Sequence, residues 1–147
     1  MNNICVKIKK LNSDAILPKY GTPYAAGADL YACEGKDVLV EPHTTVFIHT
    51  GIAVAVPEGM VGLIYARSGL ASKRSLAPAN KVGVIDSDYR GEIIVSLHNH
   101  SDVAQIVADK ERIAQLVIAP YYTADFVESD LDDTVRGSNG FGSTGNL

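Results

Sequence analysis

Short apolar segments recur along the chain, separated by turn-forming residues. β-Branched and aliphatic residues cluster from Ile4 to Ile8, Val38 to Val40, Thr45 to Ile48, Ile52 to Val56, Val61 to Ala66, Ile93 to Leu97, Ile113 to Ile118 and Ala124 to Val127. Segments of this length and composition predict strands. Pro18, Pro23, Pro42, Pro57, Pro78 and Pro120 fall between them or at their ends, where a missing amide donor does little harm. Only Gly69 to Ser75 has helical character, enough for about two turns. About eight to ten short strands in one small chain predict an all-β sandwich or jelly roll. No repeat or linker interrupts the pattern.

Length and composition narrow this picture. At 147 residues, 46% hydrophobic and 20% charged, the chain suits one domain with its own core. No apolar run approaches the roughly 18 residues of a membrane span, and Ile4, Val6 and Ile8 alternate with Lys7 and Lys9 where a signal peptide would have a solid apolar block. A soluble, cytoplasmic protein without membrane contact is expected. The formal net charge of −4 argues against stable binding to long nucleic acids. Arg67, Lys73, Arg74, Lys81, Arg90, Lys110, Arg112 and Arg136 nevertheless gather positive charge in the later half, which suits either a small anion or a solvated surface. Cys5 and Cys33 are too few for a disulfide scaffold, so both are expected to be buried free thiols.

The C-terminal stretch, residues 136–147, is glycine-rich and has no strand-like alternation, so it is expected to be flexible and to order on contact. Its Gly140-Phe-Gly142-Ser-Thr-Gly145 run formally matches a dinucleotide fingerprint, but no strand precedes it and no helix follows. What survives is local chemistry: glycine amides and two hydroxyls can wrap phosphate oxygens, Arg136 adds charge, and Phe141 can stack on a base. A frayed terminus is the plain alternative.

Three internal constellations are chemically suggestive. In Tyr65-Ala-Arg67-Ser68-Gly69-Leu70-Ala71 a strand meets a short helix, so free amides and an arginine fork could take phosphate, or the serine could simply cap the helix. Asn80 to Ile93 reads as two apolar strands flanking a turn that carries Asp86 and Tyr89, a hairpin that presents a carboxylate and a ring together or is merely polar at its tip. Asp29 in Ala26-Gly-Ala-Asp29-Leu30 is either a functional acid or the end of a turn, and Gln115 inside an apolar strand needs a hydrogen-bond partner. His98 and His100 share a strand face but have no third ligand in the sequence pattern, which disfavours a metal site.

Taken in order, these segments resemble the five motifs of the homotrimeric dUTP pyrophosphatase (dUTPase) family. The motifs are matched by Ala26-Gly-Ala-Asp29-Leu, Arg67-Ser-Gly-Leu, Gly83-Val-Ile-Asp86-Ser-Asp-Tyr89-Arg-Gly91, Arg112-Ile-Ala-Gln115-Leu and Arg136-Gly-Ser-Asn-Gly-Phe141-Gly-Ser-Thr-Gly145. The resemblance implies a jelly-roll-like β-barrel over residues 1–135 with a lid at 136–147. It implies a homotrimer with shared active sites that hydrolyses dUTP to dUMP and pyrophosphate with Mg2+. Carried across, Asp86 would orient and deprotonate the attacking water and touch the sugar hydroxyl, while Tyr89 would lie under the deoxyribose. Gly83, Val84, Ile85 and Asn80 would read the uracil edge, with Ile94 lining that slot. Arg67, Ser68, Gly69 and Gln115 would contact phosphates, and Asp29 would reach magnesium through water. Phe141 and Gly142 would close over uracil, with Arg136, Ser143 and Thr144 on the distal phosphates.

Two departures from the pattern stand out. Ala66 replaces a common proline, and Lys110-Glu111 replaces a frequent glycine-acid pair, neither of which removes a functional group. A dCTP deaminase-like enzyme would share the fold but lacks the fifth motif, and a regulatory module that senses dUTP would not need an intact Asp86.

Overall fold

The computed structural model describes residues 4–140. Along them run β1 (Lys7–Lys10), β2 (Lys19–Tyr20), β3 (Ala28–Tyr31), β4 (Val38–Val40), β5 (Thr45–Ala55), β6 (Met60–Ala66), α1 (Ser68–Arg74), β7 (Leu76–Pro78), β8 (Gly83–Ile85), β9 (Glu92–Asn99), β10 (Gln105–Val107) and β11 (Arg112–Pro120). Two main antiparallel sheets form, ordered β1-β5-β9-β7 and β2-β3-β11-β6-β8, with a small β10-β4 pair beside them. The expected all-β, jelly-roll-like architecture with one short helix is what the chain adopts.

Strand periodicity places the core. Along β9, Ile93, Val95, Leu97 and Asn99 are buried while Ile94 and the residues alternating with it face outward. Ile48, Ile52 and Val54 of β5 join Ile93, Val95 and Leu97 in one cluster with Leu30, Ile64, Ile113 and Leu116 of the other sheet. Complete burial of such a side chain contributes roughly 1.5–3 kcal/mol. The one large amide in this layer, Asn99, is satisfied: it donates to the carbonyls of Val40 (3.0 Å) and Val103 (2.8 Å).

Several expectations need correction. Thr45 to Ile48 and Ile52 to Val56 belong to one strand, β5, whose register with β9 shifts between His49 and Ala53. The interruption is a bulge at Gly51, whose φ of 67° suits glycine and whose added Cβ would lie 2.9 Å from that of Ala15. Ala124 to Val127 is not a strand: residues 121–140 form no regular element, and Phe126 is 96% exposed. Its apolar composition imitates a strand, but among the described residues no sheet pairs with it. The helix begins at Ser68, one residue earlier than expected. Of the two free cysteines, Cys33 is buried and Cys5 is exposed.

No helix among the described residues is long and apolar enough to cross a membrane.

Candidate active site

The strand β11 brings three of the suggestive segments together. Gln115 is paired with Asp29 of β3 on one side and Tyr65 of β6 on the other. Asp29 therefore lies within a strand and does not end a turn. Arg67, in extended conformation at the start of α1, donates from Nε to Asp29 Oδ1 (2.8 Å), and Arg112 donates from Nη1 to Oδ2 (3.2 Å). Because Arg67 uses Nε here, its two terminal nitrogens have no partner among the described residues and can donate elsewhere. Gln115 finds its partner in the Ala66 carbonyl (2.9 Å). A Cβ at Gly27 would sit 2.3 Å from Gln115 Oε1, so the missing side chain is what lets the two segments approach. Ser68 and Gly69 are exposed in the first turn of α1, ahead of the first intrahelical bond, from Ala71 N to the Arg67 carbonyl (3.0 Å). The N-cap position is Arg67, without a side-chain cap hydrogen bond, and Ser68 is the first helical residue.

The second region differs from the expected hairpin. β8 pairs with β6, Gly83 opposite Ile64 and Ile85 opposite Gly62, whereas β9 pairs with β5 and β7. The chain from Asp86 to Gly91 thus crosses between sheets. Between β8 and β9 opens a small cleft of about 100 Å³, lined by Ile64, Pro78, Asn80, Gly83, Val84, Ile85 and Ile94. Gly83 keeps the cleft floor close to Ile64, whose Cβ would be 3.2 Å from an added methyl.

Asp86 stands exposed at the rim of a wider cleft of about 520 Å³ that also takes in Val61, Val84 and Tyr121. Among the described residues nothing hydrogen-bonds its carboxylate; only its carbonyl is used, accepting from Tyr89 N (3.2 Å). The Tyr89 hydroxyl donates to the Glu92 carbonyl (2.9 Å). Arg90 ties the loop by donating to the carbonyls of Ser87 (2.7 Å) and Tyr89 (2.8 Å).

Within one chain these two regions do not meet. Continuing the β8 register sets Asp86 beside Val61, at the start of β6, while Gln115 and Asp29 are level with Tyr65. Four residues of strand separate them, about 13 Å along β6 at 3.3 Å per residue. Arg136 is exposed and donates from Nε to the Asn139 carbonyl (3.2 Å). Phe141, Gly142, Ser143 and Thr144 lie outside the described residues.

Arg112 is a member of the Asp29 cluster that sequence reasoning quoted in its motif without giving it a role. Three residues from Gln115, it falls on the opposite face by simple alternation; a register shift between Arg112 and Ala114 returns it to Asp29. That shift leaves no composition signal. His98 and His100 hold their rings 4.4 Å apart, and His98 Nδ1 is 2.9 Å from the Thr45 hydroxyl. Among the described residues no group of three or more His, Cys, Asp or Glu could hold a metal ion.

A jelly-roll-like β protein with a small slot, an exposed carboxylate and a fixed arginine has the equipment to handle a nucleoside polyphosphate. Comparison with known proteins narrows that class. The dUTPase family model matches residues 13–145, and the chain belongs to that family. The deoxyuridine 5'-triphosphate nucleotidohydrolase of Desulfitobacterium hafniense is 50% identical over 149 residues, covering 99% of each chain. Among solved structures, a mutant dUTPase of phage 80alpha is 30% identical with a TM-score of 0.85, covering 97% of this chain and 99% of its own. A mutant dUTPase of phage phi11 of S. aureus, solved to show the coordination of a structural Mg(II) ion, is 26% identical with a TM-score of 0.77, covering 87% of this chain and 98% of its own.

Proposed function

We propose that this chain is a dUTP diphosphatase that splits dUTP into dUMP and pyrophosphate, keeping dUTP out of DNA and supplying dUMP for dTMP synthesis. The observation that carries the reading is the Asp86 carboxylate, without a hydrogen-bond partner among the described residues, on a cleft next to the one lined by Asn80 and Gly83 to Ile85. The amides and carbonyls of Gly83, Val84 and Ile85, with Asn80, read O4 and N3–H of uracil, and Ile94 lines the slot; cytosine would leave that pattern wrongly paired. Tyr89 lies under the deoxyribose and leaves no space for a 2′-hydroxyl. Asp86 orients a water and takes its proton as the oxygen attacks the α-phosphorus; the bond to the bridging oxygen breaks and pyrophosphate leaves.

The phosphates fall to Arg67, Ser68, Gly69 and Gln115. Magnesium, when bound, neutralises triphosphate charge. The donor set fits an ion held mainly by phosphate oxygens and water, with Asp29 outside it: each Asp29 oxygen accepts one arginine N–H and keeps a lone pair for a water. The segment 136–147 acts as a lid on the 1–135 domain, with Phe141 and Gly142 over uracil and Arg136, Ser143 and Thr144 on the distal phosphates.

The separation of Asp86 from the Asp29 cluster along β6 favours sites assembled between protomers of a homotrimer. Incubation with dUTP and magnesium tests the assignment. Pyrophosphate and dUMP without ammonia are expected; ammonia would point to a deaminase, and binding without turnover to a sensing module.

A further inference from the structure

Tyr89 is held by groups that need not touch the nucleotide. Its hydroxyl donates to the carbonyl of Glu92, three residues on. Its ring lies back over Gly91: an added Cβ there would come 2.4 Å from the Tyr89 Oη, 2.6 Å from Cζ and 3.0 Å from Cε2. Gly91 is outside the left-handed region, so its backbone does not require glycine; the ring does.

Glu92 is in turn fixed at the start of β9. One carboxylate oxygen accepts from the Gly51 amide (2.8 Å) and the other pairs with His49 Nδ1 (2.9 Å). Both partners belong to the β5 bulge, packed closely enough that a Cβ added at Gly51 would come 2.9 Å from the Ala15 Cβ and 3.0 Å from the Cys33 Sγ. The Thr50 hydroxyl, in the same bulge, donates to the Ile93 carbonyl (2.5 Å). A continuous set of contacts therefore runs from the bulge through Glu92 to the Tyr89 ring.

We propose that Gly91 and Glu92 are positioning residues for sugar discrimination, setting the height of the Tyr89 ring from behind. The inference rests on the reading of Tyr89 as the surface beneath the deoxyribose. A ring used as a steric gate excludes a hydroxyl only if it cannot yield, since a shift of a few tenths of an ångström admits the competitor. The seat at Gly91 and the tether to Glu92 supply that stiffness. A methyl at position 91 meets the far end of a flexible side chain, so the ring can swing off its seat while the surrounding strands stay as they are.

The test is the ratio of kcat/KM for UTP to that for dUTP in the parent, Tyr89→Ala, Gly91→Ala and Tyr89→Phe. Tyr89→Ala should raise the ratio about 100-fold and Gly91→Ala about 10-fold, with dUTP turnover in the latter within about 3-fold of the parent. Tyr89→Phe keeps the ring, loses only the tether and should raise the ratio about 3-fold; it keeps the test decisive even where Gly91→Ala does not fold. An unchanged ratio in Tyr89→Ala would defeat the reading of Tyr89 itself. A raised ratio in Tyr89→Ala with parental ratios in both other variants would overturn the seat alone. So would equal losses for UTP and dUTP in Gly91→Ala, the mark of a merely structural glycine.

Discussion

Two aspartates separate the molecule into a built region and a free one. Asp29 sits within β3, its side chain 14% exposed, and each of its oxygens accepts from an arginine. Asp86 sits on a connection between sheets, exposed, with no group on its carboxylate among the described residues. An acid held by two guanidinium groups is a scaffold: its bond to Nε fixes the direction of Arg67. An acid left unpaired keeps its lone pairs for water. The same residue type thus stands in two different surroundings, decided by what the strands bring beside it.

The contrast can be broken most severely at Asp86. Asp86→Asn keeps the shape and removes the basicity, so kcat should fall at least about 100-fold with little change in KM. Steady-state kinetics with dUTP check this, and near-parental kcat would take Asp86 out of the chemistry.

Removing residues 136–147 should cost somewhat less, about 10- to 100-fold in turnover. The last described strand ends at Pro120, so the truncated protein should still fold and assemble. Loss of folding in a thermal melt would make the segment structural and end the lid reading.

At the built region the signature should be binding and stability together. Asp29→Asn leaves two arginines without their counter-charge, and should raise KM for dUTP about 10-fold while lowering stability by about 1–3 kcal/mol. A fall in kcat with KM unchanged would mean that Asp29 acts on the reacting atoms instead.

The smallest effect concerns the bulge that supports the Asp86 loop. The hydrogen bond to Glu92 raises the pKa of His49 above its ordinary value, against a smaller opposing effect of burial. A raised value in the folded state means that the pair's contribution is complete below the ordinary histidine value of about 6.5 and is lost as pH climbs through the raised value. His49 is half exposed, so the gap in stability between the parent and His49→Gln should be at most about 1 kcal/mol at low pH and should close on the alkaline side. Denaturant melts across that range check it; a gap that widens with pH contradicts the assignment.

Much of this was legible in the sequence, for reasons that differ from one segment to the next. β9 could be read as a strand because its buried positions alternate along the core, whereas β11 is a nearly unbroken apolar run that shows a strand without showing its faces. β2, β7 and β10 are two or three residues long and carry too little pattern to be seen. Ala124 to Val127 has strand composition without a strand partner among the described residues, and periodicity cannot report whether a partner exists. Asp86 and Tyr89 were visible as chemistry, yet β8 and β9 looked like two arms of one hairpin because separation in sequence is silent about which sheet each joins. Arg112 was hidden by a bulge that changes the side of the strand on which it emerges.

The exposed Asp86 and the Arg67 held by Asp29 are proposed to meet only between protomers. This is tested by co-refolding Asp86→Asn with Arg67→Ala in equal amounts, each inactive alone. With random mixing, a site needs an intact Asp86 from one variant and an intact Arg67 from the other, two events of one half each, so about a quarter of the sites should recover. Mixed oligomers confirmed by mass, with no activity above that of the two parents, would contradict the account.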